Sequence, residues 1–245
     1  MLTLEATSDG IRSSSDTGLR NLTEHAEALG LTPSALALAC RGVLAVEGPS
    51  DVEVIQRYGG IDLDRERIII VPLHGMHEAA SIAELEFLHA LQIPVHLLLD
   101  HTRTDTIRKL VAGEPVSRRN KEEAEVGRLH QALMRGGLRV NYLPFPPVDI
   151  IRAVPEPEIA WALQELGKPA FIGWDALDTY TEAEFRDHGR RYKDAFRAAT
   201  GAAVDSVMGC LIAHDRHGPP SPELHRILSR MLDYDPSGPA TGIIL

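Results

Sequence analysis

Two acidic residues stand where short apolar runs end: Glu47 follows VLAV inside VEGPSD, and Asp100 closes VHLLLD. A third run, ERIIIVPLHG, leads into His74 and Gly75. In a parallel sheet, function gathers at the carboxyl ends of the strands. Carboxylates from separate strand ends can converge there on a hard cation such as Mg²⁺, which prefers oxygen ligands. Each residue also has a plainer role. Ser50 or Asp51 can cap the helix that begins beside them. A lone Glu after a strand is usually solvated, and a run ending in Asp can be structural. His74, His77 and His101 match no zinc spacing. Two basic groups, Arg118/Arg119/Lys121 and Arg190/Arg191/Lys193, could steady a phosphate, but a solvated helical face is their ordinary use.

The elements that must carry these residues follow from the pattern. RGVLAV, ERIIIVPL, LQIPVHLLLD and, more weakly, LRVNYLPFP are continuous apolar runs without strict alternation. Such runs predict strands covered on both faces. Between them lie amphipathic stretches: SDVEVIQRYGG, MHEAASIAELEFLHAL and RNKEEAEVGRLHQALMRGG. The alternation predicts an α/β fold with a Rossmann-like parallel sheet of about four strands. Beyond Pro155 the reading is helical, with PEIAWALQELG, TEAEFRDHGRRYKDAFRAATG, AAVDSVMGCLIAH and SPELHRILSRMLDY. PSGPATGIIL reads as a loose tail. Residues 1–20 read as a flexible polar segment, and 21–40 as helical with Thr32 at the N-cap before Pro33. This gives an N-terminal segment and helix over 1–40, a sheet domain over 41–150, and a helical region over 151–245.

Composition narrows the classes. The 245 residues carry a formal net charge of −10. That disfavours undirected attraction to a polyanion, but carboxylates that hold cations are compensated locally, so nucleic acid remains a candidate substrate. Cys40 and Cys210 form no CxxC pair, which argues against a disulfide framework. No run of 18 apolar residues spans a membrane, and the start lacks a secretory pattern. A cytoplasmic setting is expected.

VLAVEGPSDVEVI resembles the first motif of Toprim domains, in which an apolar strand delivers a Glu followed by Gly. The stretch EALGLTPSALALACRGVLAVEGPSD at 27–51 is similar to the Toprim portion of OLD-type (overcoming lysogenisation defect) nucleases, in which an LGLTPSxL-like helix precedes VEGxxD. IIIVPLHGM resembles that family's second strand, and IPVHLLLD the strand that introduces its DxD motif. The resemblance covers about residues 25–150. It implies a metal-dependent nuclease acting on DNA more readily than RNA, with Glu47 and Asp100 catalytic and holding Mg²⁺ or Mn²⁺. Asp51 would assist directly or through water. The second acid of DxD is Thr102 here; Asp105 could substitute, and a later family acid corresponds to Asp149 or Glu156. OLD-type proteins join this domain to an ABC-type ATPase, yet no GxxxxGK[ST] loop occurs, so the ATPase is expected as a separate chain or lost. A homodimer is a further expected assembly. Thr102 also motivates the alternative of a degenerate, non-catalytic Toprim module that binds a protein partner. Primase or topoisomerase chemistry ranks third, because none of the five tyrosines lies in a matching context.

Overall fold

The computed structural model describes residues 3–7, 10–14, 40–73, 94–114, 124, 126–131, 140–184, 192–214, 218–233 and 241–243. Among these, the order opens with a hairpin of β1 (Thr3–Thr7) and β2 (Gly10–Ser14), paired antiparallel. This corrects the reading of the first twenty residues as wholly irregular. The chain continues with β3 (Gly42–Val46), α1 (Pro49–Arg65), β4 (Ile68–Pro72), β5 (Val95–Asp100), α2 (Thr104–Val111) and β6 (Val140–Phe145). A 3-10 turn (Ile150–Ala153) leads to α3 (Glu156–Glu165), α4 (Trp174–Glu184), α5 (Tyr192–Thr200), α6 (Val204–Ala213), α7 (Pro222–Leu232) and β7 (Thr241–Ile243).

The sheet is parallel throughout, in the order β4-β3-β5-β6-β7. Four of its strands are the four apolar runs. The fifth corrects the expected loose tail: Thr241–Ile243 pairs with β6 along the sheet edge. The predicted helix at 76–91, and the one holding Thr32 and Pro33, lie outside the described residues. The TEAEF segment is also redrawn. Its helix begins seven residues earlier, at Trp174, and is described as far as Glu184; helix is described again from Tyr192, in α5.

Both faces of the sheet are covered, which is why the strands read as unbroken apolar runs. Val43, Ala45, Val71, Leu97, Leu99 and Tyr142 pack with Ile107 and Leu110 of α2 on one face. Leu44, Val46, Leu98, Leu143 and Phe145 pack on the other with Val54 and Ile55 of α1. That second core continues without a break into the C-terminal helices, through Ile159, Phe196, Met208 and Leu228. Gly59 marks how close this packing is, since a Cβ there would lie 2.9 Å from Leu228 Cδ1. A buried ion pair adds a polar joint. Glu158 on α3 accepts from Arg57 Nη2 at 2.7 Å, from the Tyr58 hydroxyl at 3.1 Å and from Gly218 N at 2.5 Å.

Chain order and strand order disagree at one place. From β3 the chain moves outward to β4, then returns to lay β5 on the other side of β3. This change of direction in the strand order is a topological switch point, the place in open α/β sheets where ligands bind, in the crevice beyond the carboxyl ends of the strands.

Candidate functional site

The crevice is where the sequence puts its acids. Val43 stands beside Val95 and Ala45 beside Leu97, so the residues just past Val46 come level with the end of β5. Glu47 leaves β3 and remains half-buried. Pro49 opens α1, and its fixed φ suits the first helical position. Asp51 then accepts a hydrogen bond from Gly48 N at 2.9 Å, satisfying a backbone donor that the helix leaves free. Capping and clustering are therefore not alternatives for Asp51: the cap aims its carboxyl at the crevice.

Asp100 sits at the tip of β5, with Oδ2 2.7 Å from the backbone N of Ile150. Just before that residue, Asp149 accepts from Ile151 N at 3.0 Å. Asp100 pairs with Phe145 in the sheet register, which brings the loop after β6 over the same strand end. The chain turns sharply here, and His101 takes a left-handed φ of 51°.

Electrostatics ties these groups together. Burial pushes Asp100 well above the usual carboxylate range, and the negative charges of Asp51, Asp149 and Glu47 push the same way. Burial also raises Asp51, to about 6, with Asp149 adding to the shift and Lys193 opposing it. Asp149 is raised by burial against the pull of Lys193. Like charges in a low-dielectric crevice disfavour ionisation unless a cation compensates them.

Lys193, on α5, supplies one such charge. Its ammonium donates to Ser50 Oγ and stands 3.8 Å from Asp149 Oδ2. Burial works against its charge, but Asp149, Asp51, Asp100 and Asp205 together hold it protonated above its ordinary value. The reading of Lys193 as part of a solvated helical face is corrected. Its helix is anchored to the crevice: the Tyr192 hydroxyl donates to Asp178 Oδ1 at 2.7 Å, and Arg152, from the turn after Asp149, pairs with the same carboxylate. The signal in the sequence is faint. Tyr192, Ala195, Phe196 and Thr200 form the buried stripe of α5, and Lys193 flanks it. Nothing in that spacing tells which acids the stripe brings it to.

Other expected residues go elsewhere. Asp105 does not join the cluster; its side chain is 80% exposed and pairs with Arg108 at 3.1 Å on α2. Glu156 accepts from Trp174 N at 2.7 Å and so fastens the start of α4. Thr102 is buried, and its hydroxyl turns back onto the Asp100 carbonyl at 2.9 Å. It stabilises the strand tip where the family pattern would place an acid. His74, His77, Arg118, Arg119, Lys121, Arg190 and Arg191 lie outside the described residues.

Among the described residues, no three His, Cys, Asp or Glu side chains stand in position to hold a metal ion together. In kind, the donor set fits a hard cation: Glu47, Asp51, Asp100 and Asp149 offer only oxygen. Their mutual repulsion is what a divalent charge would relieve.

A family model described as "Overcoming lysogenization defect protein-like, TOPRIM domain" matches residues 38–101. No curated protein and no solved structure matches the chain. The match runs through β3, α1, β4 and β5 and stops one residue past Asp100, so it holds Glu47, Asp51 and Asp100 but neither Asp149 nor Lys193. Residues 38–101 are a Toprim segment resembling that of the OLD family, and it contributes three of the four crevice acids.

Proposed function

We propose that the chain is a divalent-cation-dependent nuclease that hydrolyses phosphodiester bonds, in DNA more readily than RNA. One observation carries this reading: Asp100 stands partly buried at the switch point of a parallel sheet, acted on by three further carboxylates from neighbouring elements. An OLD-like Toprim match over the strands that present three of those acids supports it.

Bound Mg²⁺ or Mn²⁺ would supply charge stabilisation at the phosphate and a more acidic water. The chain's own groups have separable tasks. Asp100 and Asp149 are oriented by the backbone N–H groups of Ile150 and Ile151, so each keeps acceptor capacity for a cation. Asp51 is fixed by its own helix start. Glu47, half-buried at the crevice edge, is placed to exchange a proton with water or the leaving group.

The test is cleavage of supercoiled and linear DNA by the purified full chain with Mn²⁺, against Glu47→Ala and Asp100→Asn. Cleavage that needs Mn²⁺ and is lost in both folded variants supports the reading. Equal cleavage by the variants defeats it.

The buried Thr102 favours a second reading, a degenerate Toprim module that docks on a separate ABC-type ATPase without cutting. Under that reading the chain takes up no Mn²⁺ at millimolar concentration.

A further inference from the structure

Lys193 lies within electrostatic reach of two sets of acids. Asp149, Asp51 and Asp100 belong to the crevice. Asp205 stands in the first turn of α6, and Glu53 on α1. Asp205 acts on Lys193 electrostatically, and Lys193 acts on Glu53. Burial raises Glu53, and Asp205 raises it further. Among the described residues, Glu53 Oε2 is buried without a hydrogen-bond partner. Buried carboxylate oxygens normally have one, so the second group of acids has an acceptor to offer.

The lysine is suited to move between the two groups. Its charge is compact and its four-carbon stem is flexible. Its side chain is 39% exposed, against 13% for Asp149, so it is not locked by packing. Its hydrogen-bond partner in the crevice is a neutral hydroxyl, Ser50 Oγ. A divalent ion brought among the same acids repels the ammonium beside Asp149, the more strongly the closer the two stand.

We propose that Lys193 is a tethered counter-cation, which fills the acidic crevice of the metal-free chain and yields to a divalent ion by turning toward Glu53 and Asp205. The proposal rests on the reading of the crevice as a cation site. It explains how acids so deeply set are kept in a folded chain before any metal arrives. It also makes Lys193 a determinant of metal affinity: each incoming ion must displace an ammonium.

Calorimetric titration of Mn²⁺ into the full chain tests this, using wild type, Lys193→Met and Ser50→Ala, with circular dichroism to check the fold. Removing a unit charge a few ångströms from the ion should tighten Mn²⁺ binding about tenfold or more in Lys193→Met. Ser50→Ala, which loosens the ammonium, should tighten it by a smaller factor. Unchanged or weaker binding in Lys193→Met overturns the proposal and leaves the cation-site reading standing. If neither wild type nor variants take up Mn²⁺, both fall. Should Lys193→Met fail to fold without metal, Ser50→Ala decides: a hydroxyl that serves the ion gives weaker binding, and that result overturns the proposal.

Discussion

At the residue scale, the acids of the crevice differ in how replaceable they are. Asp100 sits partly buried at the tip of its strand and accepts a backbone hydrogen bond at 2.7 Å. Asp100→Asn keeps its shape and loses its charge, so Mn²⁺-stimulated cleavage should fall by at least about a hundredfold if the charge holds the ion. Asp105→Ala should leave cleavage unchanged, because that carboxylate is exposed and paired with Arg108. Comparing the two rates on one DNA substrate checks both; equal losses would put the site elsewhere.

The same acids govern stability against pH. In the folded chain Asp51 titrates near 6, above its usual 3.8. The folded state therefore binds more protons than the unfolded one between those values, and stability falls as pH rises through that window. Asp100, raised well above its usual range, acts with the same sign. His96 opposes them, because burial lowers it from 6.5 to about 4, so its contribution grows as pH rises across that interval. Compared by melting in EDTA, Asp51→Asn should therefore lose less stability than the parent chain as pH rises from about 4 to 6. Mn²⁺ should raise the melting temperature more at pH 8 than at pH 6, since it competes with protons for the carboxylates. A Mn²⁺ effect equal at both pH values would contradict this.

At the element scale, α1 does two jobs, and its two ends show them. Its start carries the Asp51 cap, within the match to the Toprim family. Its end carries a small defect. After the C-cap at Glu66, Arg67 takes a left-handed φ of 56°, a position where glycine is usual. Its carbonyl accepts from Arg41 N at 2.9 Å, a contact any residue could make. Arg67→Gly should therefore stabilise the fold by up to about 1 kcal/mol, read as a higher urea midpoint. A lower midpoint would show that the arginine side chain does more than its exposure suggests.

The elements differ in how far they could be read in advance. β3, β4, β5 and β6 were legible because strands covered on both faces need unbroken apolar runs. α4 was read too short, because its first turn, WDALD, has little apolar periodicity. That turn is fixed instead by Glu156 accepting from Trp174 N. β7 was not legible at all: three residues within a Gly- and Pro-rich tail carry no strand pattern, and their pairing depends on an edge of β6 left available by the rest of the sheet.

At the scale of the whole molecule, one core joins the Toprim segment to the helices beyond Pro155. The joint has a polar pin, Arg57 to Glu158 at 2.7 Å, with side chains only 2% and 6% exposed. Replacing one partner strands a buried charge, so Arg57→Met should destabilise the chain by about 3–5 kcal/mol, measured by denaturant unfolding. A loss below about 1 kcal/mol would mean that Glu158 finds water or protonates at little cost.

The candidate site shares this divided legibility. Glu47, Asp51 and Asp100 could be read from strand ends and a resemblance. Asp149 is reached only through a family correspondence, and the spacing of Lys193 is that of a solvated helical face. These two reach the crevice through tertiary packing, across the loop after β6 and the anchoring of α5 by Tyr192, Asp178 and Arg152. Local sequence spacing does not encode such approaches.

In the proposed function, acids from neighbouring elements share a divalent cation at the sheet's switch point. A crystal of the full chain soaked in Mn²⁺ and measured at the manganese absorption edge tests it most directly. An anomalous peak is expected within bonding distance of Asp100 and at least one oxygen of Glu47, Asp51 or Asp149, with the Lys193 ammonium moved away. Manganese bound only elsewhere, or no peak at a concentration that saturates any cleavage, would contradict it.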